Sequence, residues 1–164
     1  MFKSLKKTLT KNEALVKAET LCSRQEKCED DIMRKLSDWG IEEKDRTEII
    51  TTLTKNSFIN NLRFAKAFVR EKSTIGKWGR IKIEFTLRQK KVSPEHINIA
   101  LEEINTEEYD LILEKELKSK LKSIKSTDNY TIKSKLIRFG ISRGYENGKV
   151  FDMVNKILNE TDTD

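Results

Sequence analysis

Three stretches of the chain repeat one apolar pattern at intervals of about fifty residues. They are "IMRKLSDWGI", which begins at Ile32, "IEFTLRQKKV", which begins at Ile83, and "IKSKLIRFGI", which begins at Ile132. The first residues of the copies are therefore 51 and 49 positions apart. Each copy has apolar residues one helical turn apart, then a glycine (a lysine in the second copy) and a β-branched residue, which is typical of a helix and its C-terminal cap. This spacing predicts a tandem array of small helical units, each packed against its neighbours.

Further helical patterns flank each copy. Apolar residues precede the copies over 14–21, 62–69 and 109–121, and they follow the copies over 49–53, 97–104 and 150–157. Ser93 and Pro94 offer an N-cap and a first-turn proline for one of these helices. The interpretation is an all-α, elongated array of three tandem three-helix repeats. The repeats cover residues 1–56 with an N-terminal extension, 57–105, and 106–164 with a short C-terminal tail.

Composition agrees with a thin helical array. Hydrophobic residues make up 36% of the chain and charged residues 37%, which favours a protein with much surface over a compact α/β enzyme. One proline and six glycines leave few of the turns that an all-β fold needs.

The middle copy admits a second interpretation. In "GRIKIEFTLRQKKV" the apolar residues Ile81, Ile83, Phe85 and Leu87 alternate with polar ones, which is the pattern of a half-buried strand. Because the other two copies have helical periodicity, we interpret residues 80–90 as a helix with a second apolar side. Ile81 and Phe85 are expected to pack on a neighbouring helix, so that Phe85→Ala would cost about 3–5 kcal/mol.

Charge is segregated along the chain into two basic blocks separated by an acidic one. Residues 63–91 carry a net charge of +8, residues 92–116 a net charge of −7, and residues 117–138 a net charge of +6. A single basic helix is often only a solvated face. Two separated basic blocks point instead to a surface that meets a polyanion, an acidic groove of a protein, or both.

The candidate binding residues lie in the first basic block. Arg63, Lys66 and Arg70 have the spacing of one helical face. Gly76 and Gly79 flank a loop whose Trp78 could stack on a base or fill a pocket of a partner. The alternative, which is favoured for a large aromatic residue, is that Trp78 anchors the loop by packing. Tyr145, in "SRGYENG", is a weaker candidate. The predicted partner-binding or DNA-binding set is Arg63, Lys66, Arg70, Lys77, Trp78, Arg80, Lys82, Arg88, Lys90 and Lys91.

Residues for catalysis or metal binding are sparse. His96 is the only histidine, and the spacing of Cys22 and Cys28 matches no zinc motif. There is no phosphate-binding loop, zinc-protease motif or nucleophile elbow. We expect no enzyme, no cofactor and no metal. "MFKSLKKTLTKNEALVK" has no apolar core, so we expect no secretory signal, no membrane partner and a cytoplasmic location.

Two stretches resemble the RecX proteins, bacterial regulators of the RecA recombinase. Residues 58–92, "FINNLRFAKAFVREKSTIGKWGRIKIEFTLRQKKV", contain the "RFAKAFVR" helix, a Gly-Lys-x-x-Arg-Ile turn and the "TLRQKKV" helix end, and "CEDDIMRKLSDWGI" resembles the first-repeat signature. Cys28 stands where the family usually has a capping serine, and Lys91 replaces a common glycine. Both departures concern helix caps and leave the surface chemistry unchanged.

The resemblance extends over residues 12–158 and implies a fold, a partner and an effect. It implies tandem three-helix repeats that form a curved rod, and we expect the protein to be a monomer. It also implies binding in the groove of the RecA filament on single-stranded DNA, with DNA contacted directly or within the filament, and inhibition of recombinase and coprotease activities.

Two other functions fit the same residues. One is a general nucleic-acid-binding helical repeat without a recombinase partner, and the other is a scaffold whose basic faces serve solubility. Under the RecX interpretation, reversing Lys77, Arg80, Arg88 and Lys91 to glutamate is expected to leave the fold intact and to abolish inhibition of RecA.

Overall fold

The computed structural model describes residues 9–161, and this part of the chain consists of nine α-helices and their connections. Residues 1–8, on which the expectation of no secretory signal partly depends, and the end of the short C-terminal tail lie outside the described residues. In chain order the helices are α1 Lys11–Arg24, α2 Glu29–Asp38, α3 Glu43–Lys55, α4 Asn61–Thr74, α5 Arg80–Gln89, α6 Pro94–Glu102, α7 Thr106–Ser123, α8 Asn129–Ser142 and α9 Asn147–Thr161.

Short polar side chains determine where several helices begin. Thr10 and Glu13 form a reciprocal capping box at the start of α1. Ser93 caps α6 and Pro94 occupies its first turn, as predicted. An Asn or Asp side chain accepts a backbone N–H at the start of three further helices, and these caps are Asn60 for α4, Asn105 for α7 and Asp128 for α8.

Each set of three successive helices encloses its own hydrophobic core. Helices α1–α3 bury Ile32, Leu36 and Leu53 completely. Helices α4–α6 surround Ile83 and Leu87, and α7–α9 surround a third cluster around Leu113 and Leu117. The predicted all-α array of three tandem three-helix repeats is confirmed, and below the three helix sets are called the first, second and third repeats.

The middle helix of each repeat ends in the same hydrogen-bonded motif. The second residue beyond each of these helices has a positive φ, 76° at Gly40, 58° at Lys91 and 88° at Gly144. The next residue donates its N–H to a carbonyl five positions earlier, from Ile41 to Leu36 and at the corresponding positions of the other repeats. The latter pairs are Val92 to Leu87 and Tyr145 to Gly140.

This motif corrects the alignment of the third copy by one helical turn. The sequence pattern placed Gly140 at the end of the helix, but α8 continues to Ser142 and Gly144 adopts the left-handed conformation. Gly140 lies inside α8, where a glycine is needed for space: an added Cβ would lie 2.7 Å from the Val150 Cγ1 atom. The apolar residues repeat every turn, so sequence spacing could not distinguish the two registers.

The middle copy is a helix, as predicted, but its second apolar side is not buried. Helix α5 turns Ile83 and Leu87 into the core, whereas Ile81 is 51% exposed and Phe85 60% exposed. The predicted packing of Ile81 and Phe85 is therefore wrong. Neighbouring repeats contact α5 at its two ends, through Gly79 and through Lys90, so no helix covers its outer side.

The two junctions between repeats are built differently. Between the second and third repeats, backbone meets backbone: the Gly79 N–H donates to the Arg143 carbonyl at 2.8 Å and the Ile81 N–H to the Gly144 carbonyl at 3.0 Å. Between the first and second repeats, polar side chains predominate, and an open groove of about 400 Å³ lies between α2 and α4. The side-chain ion pairs at this junction are Glu26–Arg63, Asp30–Lys91 and Asp31–Lys90.

No helix within residues 9–161 is both long enough and apolar enough to cross a membrane.

Candidate partner-binding surface

The ten predicted binding residues lie on α4, on the loop that follows it, and along α5 to its C-terminal cap. Within α4 they do not share one environment. Arg63 reaches back to the first repeat, where its Nε lies 2.6 Å from Glu26, and Lys66 lies 2.6 Å from Glu103 at the end of α6. Arg70 is exposed and has no ion pair within the described residues.

The loop between α4 and α5 holds Lys77 and Trp78. Lys77 has a positive φ of 54°, and its Nζ lies 2.6 Å from Glu116 on α7 of the third repeat. Trp78 is half-buried and packs edge-on against Phe68, with 6.3 Å between ring centroids. The Lys82 amine lies 4.3 Å from the centroid of the Trp78 ring, within the range of a cation–π contact. Trp78 thus anchors the loop while part of its surface stays accessible.

Two arginines of α5 lie near carboxylates. Arg80 lies over the Tyr109 ring, 5.2 Å from its centroid, and 4.0 Å from Glu146. Arg88 pairs with Glu84 one turn earlier on the same helix, at 2.5 Å.

The lysines at the C-terminal end of α5 bind the start of α2. Lys91 lies 2.9 Å from Asp30, a carboxylate that is almost completely buried and also pairs with Arg34. Lys90 lies 2.6 Å from Asp31. Burial favours the protonated form of Asp31, but the hydrogen bond and the charge of Lys90 outweigh it and hold the pKa of this carboxyl below its ordinary value.

Most of the predicted basic surface is therefore neutralised by acidic side chains. Of the nine cations in the set, seven have a carboxylate within 4.0 Å, and only Arg70 and Lys82 have no such partner among the described residues. Several of these carboxylates belong to neighbouring repeats. Reversing Lys77 or Lys91 would place two carboxylates in contact. The side chains therefore do not stand free of the fold as predicted, and we expect the quadruple reversal to destabilise the protein.

A buried tyrosine pair at the second junction was missed by the sequence analysis. The Tyr109 hydroxyl donates a hydrogen bond to Glu146 at 2.7 Å and accepts one from the Arg80 backbone N–H at 2.9 Å. Burial is the main reason that the pKa of Tyr109 is raised. The ring centroids of Tyr109 and Tyr145 are 4.9 Å apart. Burial raises the pKa of Tyr145 to about 12. Tyr145 is completely buried, so it is a core residue and cannot be the surface contact considered above.

Residues 9–161 contain no cluster of three or more His, Cys, Asp or Glu side chains with the geometry to hold a metal ion.

Cys28 is buried and belongs to the core of the second repeat, and burial raises the pKa of its thiol to about 11. Because Cys28 is the N-cap residue of α2, it joins the first repeat to the second by packing.

Known proteins share both the sequence and the fold. The family model for the second three-helix domain of RecX matches residues 60–101, which include nearly all of α4–α6. The regulatory protein RecX of Clostridium botulinum (strain Eklund 17B) is 32% identical over 162 residues, which cover 93% of this chain and 74% of that protein. This chain belongs to the RecX family. The regulatory protein RecX of Vibrio campbellii is 30% identical over 157 residues, covering 96% of this chain and 95% of that protein.

Two crystal structures of RecX proteins have the same fold. One superposes with a TM-score of 0.77 at 21% sequence identity and covers 89% of this chain and 73% of its own. The RecX structure from Lactobacillus salivarius superposes with a TM-score of 0.75 at 18% identity, and the match covers 94% of this chain and 97% of that one. At these identities the likeness concerns the fold alone, and it agrees with the three-repeat architecture.

Proposed function

We propose that this chain binds RecA and the RecA filament on single-stranded DNA, and that it inhibits recombinase activity during DNA repair. The observation that carries this proposal is the similarity over 93% of the chain to a protein named regulatory protein RecX. The chain would act as a cytoplasmic monomer, by binding and without catalysis.

The proposed mechanism is bridging. Successive repeats would lie along adjacent recombinase subunits, so that one molecule restrains the addition of subunits or the ATP-coupled state of the filament. An array of repeats offers an extended surface for this purpose.

The contacts most available to such a partner are the cations without ion pairs. Arg70 and Lys82 meet this condition in the second repeat, and the accessible part of Trp78 lies beside Lys82. The paired cations of the set contribute less, because a partner would have to displace a carboxylate from each of them.

The test is DNA-dependent ATP hydrolysis by RecA filaments, with this protein titrated from below stoichiometry. Arg70→Glu combined with Lys82→Glu is expected to raise the half-inhibitory concentration at least about tenfold, because attraction at two contacts becomes repulsion. The matched control is Arg24→Glu with Lys55→Glu, two exposed cations of the first repeat that have no ion pair within residues 9–161. This control should inhibit almost as the unmodified protein does.

Circular dichroism and thermal unfolding would verify that both double variants are folded. Equal inhibition by both would contradict this binding face. A wild-type protein that binds DNA without any effect on RecA would contradict the proposed function and favour a general nucleic-acid-binding protein.

A further inference from the structure

The third repeat contains a cleft between the C-terminal half of α7 and helix α8. Its volume is about 620 Å³, which is within the range of ligand sites. Four cations line it together with two apolar side chains, and these residues are Lys120, Lys125, Lys135, Arg138, Ile124 and Phe139.

The cations of this cleft are not neutralised. No carboxylate lines the cleft, and none of its four cations has an ion pair within the described residues. The only acidic residue between positions 117 and 138 is Asp128, and it is occupied as the N-cap of α8, where it accepts the backbone N–H of Thr131. The second repeat has the larger net charge in sequence, but its cations are mostly paired. The cleft therefore carries a local concentration of positive charge that nearby carboxylates do not neutralise.

An aromatic ring contributes to the cleft. Phe139 is half-buried, and the Lys120 amine lies 5.6 Å from the centroid of its ring. Cations that track phosphates next to an aromatic face on which a base can stack are the combination that binds single-stranded nucleic acid. An acidic peptide would use the cations but would leave the ring without a matching group.

We propose that the cleft between α7 and α8 binds the phosphodiester backbone of single-stranded nucleic acid. This inference deepens the proposed function and rests on it for the single-stranded form of the ligand. It moves the direct phosphate contact from the second repeat, where the sequence pattern placed it, to the third.

The chain provides a matched control for this cleft. Lys122 on α7 and Lys133 on α8 belong to the same two helices and also have no ion pair among the described residues. Neither lines the cleft, and Lys133 instead lines a separate cavity with Tyr130 and Leu158. Neutralising this pair changes the net charge of the third repeat as much as neutralising two cleft cations does.

The experiment measures binding of the full-length protein to a fluorescent oligo-thymidylate by anisotropy at several salt concentrations. Lys125→Gln with Arg138→Gln is expected to weaken binding at least about tenfold and to reduce the slope of log K against log salt by about 1.4, which is about 0.7 for each lost phosphate contact. Lys122→Gln with Lys133→Gln should change affinity less than about twofold.

Three outcomes would overturn the inference: no binding by the wild type, equal loss in both variants, or displacement by poly-glutamate as efficient as by unlabelled oligonucleotide. The first two deny a specific cleft, and the third identifies an acidic protein segment as the ligand. Inhibition of RecA is measured separately with the same proteins. A wild-type protein that inhibits RecA but whose oligonucleotide binding does not depend on the cleft rejects the cleft alone. A wild-type protein whose binding depends on the cleft but which does not inhibit RecA rejects the proposed function alone.

Discussion

Phe85 and Leu87 are two residues apart on α5, and their environments are opposite. Leu87 is completely buried in the core of the second repeat, whereas Phe85 is 60% exposed. The alternating sequence suggested that both were buried, but a helix directs residues two apart toward nearly opposite sides. An exposed phenylalanine leaves little apolar area to lose on truncation.

We expect Phe85→Ala to change the free energy of unfolding by less than about 0.5 kcal/mol, because its side chain is already largely in water. Leu87→Ala should cost about 2–5 kcal/mol, because it removes a buried side chain and leaves a cavity. Urea unfolding of the two variants measures both values. A cost for Phe85→Ala close to that for Leu87→Ala would mean that another surface covers α5 in solution.

The Asp31–Lys90 pair makes stability depend on pH. The pKa of Asp31 is lower in the folded protein than its ordinary value of 3.8. Its contribution is therefore fully present above this value and is lost as pH falls through the folded pKa. We expect Lys90→Met to be less stable than wild type at pH 7, and the difference to shrink as pH falls below 3.8. Urea unfolding across this range measures it, and a pH-independent difference would show that the pair contributes by packing alone.

At the scale of elements, the close approach of α5 to the α8–α9 turn requires a glycine. A Cβ on Gly79 would lie 2.0 Å from the carbonyl carbon and oxygen of Gly144, both backbone atoms that cannot move aside as a side chain can. The φ of Gly79 is −76°, which any residue adopts, so the requirement is for space.

We expect Gly79→Ala to destabilise the protein by about 1–3 kcal/mol, because it forces the two backbones apart. Gly148→Ala is the matched control: a Cβ there meets nothing within 4 Å, and the alanine should stabilise α9 by up to about 1 kcal/mol. Thermal unfolding compares the two variants. Equal effects would show that the backbone contact at Gly79 is absent in solution.

The helices of this protein could be predicted from sequence more completely than its surface could. Apolar spacing and caps such as Ser93 are local signals, and they identified the helical repeats. Ion pairs are not local, because the partners can be far apart in sequence. Lys77 and Glu116 are separated by 39 positions, and Lys90 and Asp31 by 59. Net charge counted along the sequence therefore overestimated how many cations of the second repeat are available to a partner. It underestimated the third repeat, where the cleft cations have no ion pair among the described residues.

Over the whole molecule, the two junctions differ in what holds them together. Backbone hydrogen bonds, the hydrogen bond from the Arg80 backbone N–H to the Tyr109 hydroxyl, and the ion pairs Lys77–Glu116 and Arg80–Glu146 join the second and third repeats. Side-chain ion pairs and the packing of Cys28 join the first and second repeats. The side chains of Arg63 and Glu26 are 45% and 32% exposed, whereas Asp30 is almost completely buried. We propose that the boundary near residue 56 separates a unit that can open independently, and that the units on either side of residue 105 unfold together.

Salt should therefore loosen the first junction more than the second, which backbone hydrogen bonds also hold. Raising NaCl from about 0.1 M to about 1 M shortens the Debye length from about 10 Å to about 3 Å and weakens exposed ion pairs. We expect native-state hydrogen exchange to accelerate in α1–α3 relative to α4–α9. Sodium sulfate at equal ionic strength serves as a comparison, because it also strengthens apolar burial. Uniform acceleration in all nine helices would contradict the difference between the junctions.

The unequal junctions also have a mechanical consequence. A rod with one stiff joint and one compliant joint bends at a single place, so we expect thermal bending to concentrate between α3 and α4, beside the open groove. The part beyond that joint would move as one lever, which keeps the α7–α8 cleft at a constant orientation to the second repeat. Such a molecule could bind a helical filament of variable pitch, because its first repeat can change orientation while the second and third repeats stay bound in one arrangement.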